Sequence, residues 1–260
     1  MNELRITDHH IPADDGFLFA RAWQGAARTA PIVLLHDSLG CVELWRGFPA
    51  ALAAASGRTV IAYDRLGFGR SSPRGGALPH GFIAQEAQHG FALVREHFGL
   101  EQFALFGHSV GGGMAVHCAA RFPEACTALV TESAQAFVED RTRAGLLEAQ
   151  AQFAQPGSLE RLARYHGDKA PWVLNAWLDT WLAPGFAGWS LDAVLPEVRC
   201  PALVLHGMED EYGSGEHPRR IAQGVAGPAE LELIPDVRHV PHKERETWVA
   251  QRVAAFLACG

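Results

Sequence analysis

The chain has 260 residues, of which 48% are hydrophobic, so it is long enough for one large α/β domain or two small ones. Its formal net charge of −7, from 22 basic and 29 acidic residues, argues against a nucleic-acid partner. No stretch approaches the roughly 20 apolar residues of a membrane span, and the N-terminus has no apolar signal core, so we expect a cytoplasmic protein without a membrane partner.

Short apolar runs alternate with helical patterns along the chain, which predicts βα units around a mainly parallel central sheet flanked by helices. An early, partly exposed strand is expected first, then five continuously apolar runs typical of buried central strands, and finally a strand nearer the edge. In chain order these strands are 17–22, 32–35, 59–63, 103–106, 128–131, 202–205 and 231–234. Amphipathic helices are expected at about 43–55, 83–98 and 243–258.

Residues 135–197 interrupt this alternation, because they show helical patterns and no convincing strand. The segment is too long for an ordinary loop. We interpret 135–197 as a helical lid inserted between the strands at 128–131 and 202–205, which are strands 6 and 7 in the numbering of the family discussed below, and 1–134 together with 198–260 as the core. An apolar stripe in the lid either roofs a substrate pocket or packs the lid onto the core; it consists of Leu174, Trp177, Leu178, Trp181 and Leu182.

The pentapeptide from Gly107 to Gly111 reads G-H-S-V-G and follows the apolar run 103–106. A G-x-S-x-G between a buried strand and a helix is typical of a nucleophile elbow, a sharp turn that exposes the serine hydroxyl above the sheet. Three consecutive glycines weaken the helix that follows, which is reasonable if this helix presses against the sheet beside Ser109. The pattern therefore predicts a serine nucleophile at Ser109.

A serine nucleophile needs a base to accept its proton and an acid to orient that base. Asp210 lies just past the strand 202–205, and His239 lies just past the strand 231–234. Open α/β sheets place their sites at these carboxyl ends. The order serine, aspartate, histidine along the chain is also the one expected for this architecture.

Other residues compete for the acid and base roles. Glu132, at the end of the predicted strand 128–131, is the main alternative acid, and His242 is the alternative base, although its place at the start of the last helix suits a cap or a supporting contact. Further carboxylates near the predicted acid are those of Glu209, Glu211 and Asp236.

Several landmarks of the sequence resemble the α/β-hydrolase fold family over nearly the whole chain, and most closely its small lidded esterases, lactonases and cofactor-free perhydrolases. The resemblance implies that Ser109 is the nucleophile, Asp210 the acid and His239 the base. The landmarks are His36 after the third strand, the DRLGFGRS of residues 64–71, Gly107 to Gly111, Gly207 three residues before Asp210, and His239 before a terminal helix.

The resemblance also implies an oxyanion hole formed by the backbone N–H groups of Ser38 and Val110. Here the chain departs from the family pattern, because His36 is followed by Asp37 where the family usually has glycine. A carboxylate near a developing oxyanion repels it, so Asp37 must point away, pair with a cation, or indicate unusual chemistry. We expect the substrate pocket to include His36, Asp37, His108, Trp177 and Trp181.

No cofactor or metal is expected. The 13 histidines show no ligand spacing such as H-E-x-x-H, and the glycines at 67 and 69 lack the third glycine of a dinucleotide-binding fingerprint. The five cysteines form no C-x-x-C pair, and their odd number argues against a disulfide framework.

These expectations together predict a serine hydrolase that cleaves a small-molecule carboxylic ester through an acyl-enzyme. The same triad also performs lactone opening, thioester hydrolysis, perhydrolysis or carbon–carbon bond hydrolysis of diketones, and the sequence does not separate these reactions. Two further alternatives to a hydrolase are an acyltransferase and a ligand-binding protein that retains the hydrolase scaffold.

Overall fold

A computed structural model describes residues 4–14, 16–27 and 29–259, which form an eight-stranded sheet with helices on both faces. Residues 1–3 belong to the N-terminal stretch in which we predict no apolar signal core, and they lie outside the described residues. The strands are β1 (Ile6–Ala13), β2 (Gly16–Trp23), β3 (Ile32–Leu35), β4 (Val60–Tyr63), β5 (Phe103–His108), β6 (Cys126–Glu132), β7 (Ala202–Gly207) and β8 (Ala229–Ile234).

The strand order across the sheet is β1-β2-β4-β3-β5-β6-β7-β8. Strands β1, β2 and β4 pair antiparallel, and all pairs from β4 to β8 are parallel, which confirms the predicted mainly parallel sheet. Strand β8 lies at the edge, as predicted. Strand β1 was not predicted, because its residues are mostly exposed and carry little apolar signal. Strand β5 lies near the centre and ends at the predicted nucleophile.

The helices connect the strands and cover both faces of the sheet. Two predicted helices are each divided, 83–98 into α2 and α3 and 243–258 into α9 and α10, while 43–55 begins with a short 3-10 turn at Val42–Trp45. The helices are α1 (Phe48–Ser56), α2 (Phe82–Gln85), α3 (Gly90–His97), α4 (Val110–Arg121), α5 (Asp140–Phe153), α6 (Ser158–His166), α7 (Ala170–Leu182), α8 (Glu216–Gly224), α9 (Pro241–Glu244) and α10 (Glu246–Ala258).

Alternating side chains of the central strands supply two apolar cores. In β3, Val33 and Leu35 pack into one core with α3 and α4, whereas Ile32 and Leu34 pack into the other with α1 and α10. Both sets are almost completely buried. Burial on both faces is the reason why the central strands read as continuous apolar runs in the sequence.

Helices α5, α6 and α7 lie between β6 and β7 along the chain, in the segment predicted to be a lid. No described strand occurs there, although a single β-bridge joins Phe137 to Ser190. Helix α7 buries Leu178 and Trp181 against the larger core. Among the described residues, no helix has both the length and the apolarity needed to cross a bilayer.

Candidate active site

Ser109 occupies a strained turn between β5 and α4. Its backbone has φ 56° and ψ −125°, a region that non-glycine residues rarely adopt. The Ser109 N–H donates to the backbone oxygen of Glu132 at 2.9 Å, which ties the turn to the neighbouring strand β6. The sequence-predicted elbow therefore has the backbone strain that exposes a side chain above a sheet.

The glycines around Ser109 are required by close backbone contacts. A Cβ atom added at Gly107 would lie 2.2 Å from the Gly111 oxygen, and one at Gly111 would lie 2.1 Å from the Leu35 oxygen. Real Cβ atoms do not approach other atoms this closely. At Gly112, a Cβ would meet the side chain of Ala134 at 2.4 Å. Helix α4 thus contacts the sheet backbone directly, which explains its unfavourable glycines.

Asp210 and His239 form a buried hydrogen-bonded pair. The Nδ1 atom of His239 lies 2.9 Å from both carboxylate oxygens of Asp210. The carboxylate also accepts hydrogen bonds from the backbone N–H groups of Tyr212 at 2.8 Å and Gly213 at 3.2 Å. These contacts fix the carboxylate, and the carboxylate in turn fixes the orientation of the imidazole.

The pair also shifts the acidity of both groups. Burial opposes the charge on each and is the largest single effect, but the attraction between them together with neighbouring groups outweighs it, so the pKa of Asp210 is lowered and the pKa of His239 is raised above 6.5. Asp210 is therefore an anion at neutral pH. His239 is a stronger base than an ordinary histidine, as proton acceptance from a serine requires.

Asp210 and His239 meet because the loops after β7 and β8 lie against each other. A Cβ atom at Gly207 would be 2.2 Å from the Arg238 oxygen, so only glycine allows this approach. The N–H of Glu209 donates to the Val237 oxygen at 2.9 Å, which joins the two loops. This contact follows from the parallel pairing of β7 with β8.

Ser109 and His239 both line a cavity of about 260 Å³. Of the residues predicted to line the pocket, Asp37, Trp177 and Trp181 do so. Two larger cavities, of about 880 and 560 Å³, lie away from Ser109. The remaining lining residues are Ser38, Leu39, Gln135, Thr142, Leu146, Glu211, Tyr212 and Val240.

Two predicted pocket residues lie outside this cavity. His36 is 2% exposed, and its ring bonds the backbone of Arg65 at 3.2 Å and the Asp37 oxygen at 2.8 Å, so it supports the loop after β3. His108 is equally buried and packs behind the nucleophile, with its ring centre 5.1 Å from that of His239. Both side chains point into the interior and not into the substrate cavity.

Gln135 contacts Ser109, the predicted nucleophile, and was not identified from the sequence. Its Oε1 atom accepts a long hydrogen bond, 3.4 Å, from the Ser109 hydroxyl. The residue is 5% exposed and lies three positions past the end of β6. That position after a central strand is the signal by which it could have been found, because β6 neighbours β5 in the sheet.

The two N–H groups predicted to bind an oxyanion are free to donate. Within the described chain, neither Ser38 N–H nor Val110 N–H donates to a backbone or side-chain acceptor. Ser38 lines the cavity, and Val110 begins helix α4 directly after Ser109. The positive end of a helix dipole therefore also lies at the nucleophile.

Glu132, the alternative acid, belongs to a separate buried cluster. Its Oε2 atom lies 2.5 Å from Nδ1 of His242 and 3.0 Å from Nδ1 of His108. Burial raises the pKa of Glu132, but the two imidazoles outweigh it and hold this pKa at about 2. Burial keeps the pKa of His242 below its usual value, so a neutral imidazole donates to an anionic carboxylate.

These three residues offer ligand atoms within 4.8 Å of one another, a grouping that the sequence spacing did not reveal. Ligands held about 2.0–2.1 Å from a tetrahedral zinc ion lie about 3.3 Å apart. The contact of 2.5 Å between His242 and Glu132 is shorter than this. Glu132 and His242 therefore have the geometry of a hydrogen-bonded pair.

Comparisons with known proteins agree with this architecture. A family model described as alpha/beta hydrolase fold matches residues 30–198. A proline iminopeptidase of Lactobacillus delbrueckii subsp. bulgaricus is 32% identical over 131 residues, which cover 50% of this chain and 44% of the relative. The serine hydrolase BPHL of Mus musculus is 27% identical over 189 residues, covering 71% of this chain and 64% of the relative. The chain thus spans less than two thirds of either relative.

A solved structure extends the comparison to almost the whole chain. The carboxylesterase CesB of Bacillus subtilis superimposes with a TM-score of 0.73 at 21% identity, covering 99% of this chain and 93% of that one. At this identity the likeness shows a shared fold and nothing finer.

Proposed function

Because the chain belongs to the α/β-hydrolase fold family, we propose that it is a serine hydrolase that cleaves carboxylic esters through a Ser109–His239–Asp210 triad. The observation that carries the proposal is the buried hydrogen bond of 2.9 Å between His239 and Asp210, at a cavity that also contains Ser109 on a strained turn. The relatives named as hydrolases support the reaction class.

In the proposed mechanism the Ser109 hydroxyl attacks the carbonyl carbon while His239 Nε2 takes its proton. The carbonyl oxygen becomes an oxyanion that accepts hydrogen bonds from the free N–H groups of Ser38 and Val110. The intermediate collapses, the alcohol leaves with the proton from His239, and an acyl ester remains on Ser109. Water then attacks this ester by the same steps and releases the acid.

We assign the segment 135–197 as a cap over this site. The support is that Thr142 and Leu146 of α5, and Trp177 and Trp181 of α7, all line the cavity of Ser109. The cavity volume of about 260 Å³ lies below the roughly 300–1,000 Å³ of sites for drug-sized ligands, so we expect a short acyl group.

Initial rates on p-nitrophenyl esters from acetate to decanoate test the proposal. Ser109→Ala is expected to lower kcat by about 10³-fold or more. Ser133→Ala is a matched control, because Ser133 is also buried, also has a positive φ of 49°, and follows the neighbouring strand without lining the cavity. Equal turnover by Ser109→Ala and the intact protein would refute the mechanism. Labelling of Ser109 by a fluorophosphonate is the independent readout.

A further inference from the structure

Asp37 is a carboxylate without a partner in the wall of the proposed catalytic cavity. The hydrogen bonds that it makes pass through its backbone oxygen, which accepts from His36 at 2.8 Å and from Arg65 at 2.7 Å. Within the described residues, no cationic nitrogen lies within the 4.0 Å ion-pair distance of its carboxylate. The side chain is partly exposed, and its Oδ1 atom is close enough to Gly40 that a Cβ there would be 1.9 Å away.

Arg65, the cation that bonds the Asp37 backbone, is engaged elsewhere, and Lys243 borders a separate small cavity of about 10 Å³ that Asp37 also lines. The guanidinium of Arg65 is 4.3 Å from the centre of the Phe68 ring and bonds His36 as well as the Asp37 backbone. Neither Arg nor Lys occurs among the described residues that line the cavity. A second carboxylate, Glu211, also lines it, and its contact with Arg238 is a solvent-exposed pair at 3.5 Å. Apart from His239, the ionisable groups of the wall that carry a full charge at neutral pH are therefore the carboxylates of Asp37 and Glu211.

This cavity is a ligand site on independent grounds, because Ser109 and His239 lie in its wall. A carboxylate in a confined, partly apolar cavity has lost part of its hydration and attracts cations. Trp177, Trp181 and Tyr212 also line the cavity, and aromatic faces bind ammonium groups. We propose that the substrate carries a protonated or quaternary ammonium group close to the scissile carbonyl, and that Asp37 binds this group.

The inference rests on the proposed esterase mechanism and explains the unusual residue in the oxyanion loop. Asp37 precedes Ser38, whose N–H is the proposed oxyanion donor, so its charge opposes the oxyanion, whereas the same charge favours the protonated form of His239. An ammonium group of the substrate pairs with Asp37 in the complex, and a neutral substrate lacks this contact. Asp37 is thus a specificity-determining residue that favours cationic esters over neutral ones.

Two matched substrate pairs test this with the full chain. Leucine benzyl ester against benzyl 4-methylpentanoate places the charge on the acyl side, and butyrylcholine against 3,3-dimethylbutyl butanoate places it on the alcohol side. We expect the intact protein to favour the cationic member of at least one pair by about tenfold or more in kcat/KM. Asp37→Asn should remove this preference by slowing the cationic ester more than the neutral one. The exposed Glu124→Gln, with the same change in net charge, should leave the preference intact.

Equal or better turnover of the neutral member in both pairs would overturn the inference, as would a preference that survives Asp37→Asn. If no ester is turned over, the esterase proposal fails on its own, and binding decides the inference. Leucinol and 4-methylpentanol, titrated against tryptophan fluorescence, differ only in the ammonium group. We expect about tenfold tighter binding of leucinol, and its loss in Asp37→Asn. Equal affinity for the two alcohols would exclude the ammonium site.

Discussion

Glu132 pairs with His242 at 2.5 Å, whereas His239, three residues earlier in the chain, pairs with Asp210. Both carboxylates are completely buried, and they lie at the carboxyl ends of the neighbouring parallel strands β6, which ends at Glu132, and β7, which ends three residues before Asp210. The structure thus contains two acid–imidazole pairs side by side, with the rings of His108 and His239 5.1 Å apart between them. Only the pair of Asp210 borders the cavity of Ser109, through its imidazole.

The identity of the acid can be tested by two amide substitutions. Asp210→Asn is expected to lower kcat/KM by about 10³- to 10⁴-fold, because the amide no longer fixes the productive tautomer of His239. Glu132→Gln should change it by less than about tenfold, since its carboxylate bonds His242 and not His239. Rates on one p-nitrophenyl ester decide between them. A larger loss for Glu132→Gln would make Glu132 the acid.

Substitution of Glu132 should instead change the free energy of unfolding of the protein. The Glu132 pKa of about 2 lies below the ordinary 4.5, so its charged form stabilises the fold above about pH 4.5, and this contribution is lost as the pH falls towards 2. We expect Glu132→Gln to lower the free energy of unfolding by about 1–3 kcal/mol at pH 7, with a smaller difference at pH 3. Urea unfolding at both pH values measures this, with exposed Glu124→Gln as control. A pH-independent difference would contradict the assignment.

The pH profile of the reaction follows from His239. Burial alone would lower its pKa, but the nearby carboxylates, first that of Asp210 and then those of Asp37 and Glu211, together outweigh burial and raise this pKa above 6.5. The base must be neutral to accept a proton, so kcat/KM should fall on the acidic side with a midpoint above pH 6.5. In Asp210→Asn the residual activity should have its midpoint at lower pH, because burial then acts without the carboxylate. A midpoint unchanged by Asp210→Asn would show that another group titrates.

The sequence predicts those candidate site residues that are marked by a pattern of neighbouring residues. Ser109 follows from a pentapeptide and the adjacent apolar run, and Asp210 and His239 follow from polar residues placed directly after predicted strands. The central strands are equally readable, because burial on both faces makes them continuously apolar.

The remaining features depend on contacts between distant residues. Glu132 and His242 are 110 positions apart, and nothing near either one indicates the other. The contact of Gln135 with Ser109 depends on the pairing of β5 with β6. His36 was predicted to line the pocket, but its direction is set by Arg65, 29 positions later. Strand order and side-chain direction, rather than residue type, decide these cases.

The glycines of the elbow should be the least tolerant of substitution. Gly111→Ala would place a Cβ 2.1 Å from the Leu35 oxygen, so helix α4 would have to move away from the sheet. We expect a loss of about 1–3 kcal/mol in the free energy of unfolding, together with loss of turnover. Gly75→Ala is the matched control, because no atom lies within 4 Å of its added Cβ. Urea unfolding of both variants compares them; equal stability would refute the contact.

The two tryptophans of α7 that line the cavity should have different roles. Trp181 is 3% exposed and packs with its ring centre 5.2 Å from that of Phe186, so Trp181→Ala should cost about 3–5 kcal/mol of stability. Trp177 is only partly buried, so Trp177→Ala should cost less and should instead enlarge the cavity. The preferred p-nitrophenyl ester should then shift to a longer acyl chain. An unchanged preference would mean that α7 packs onto the core without shaping the substrate site, because removing an indole from the wall of a cavity of about 260 Å³ must alter which acyl groups fit.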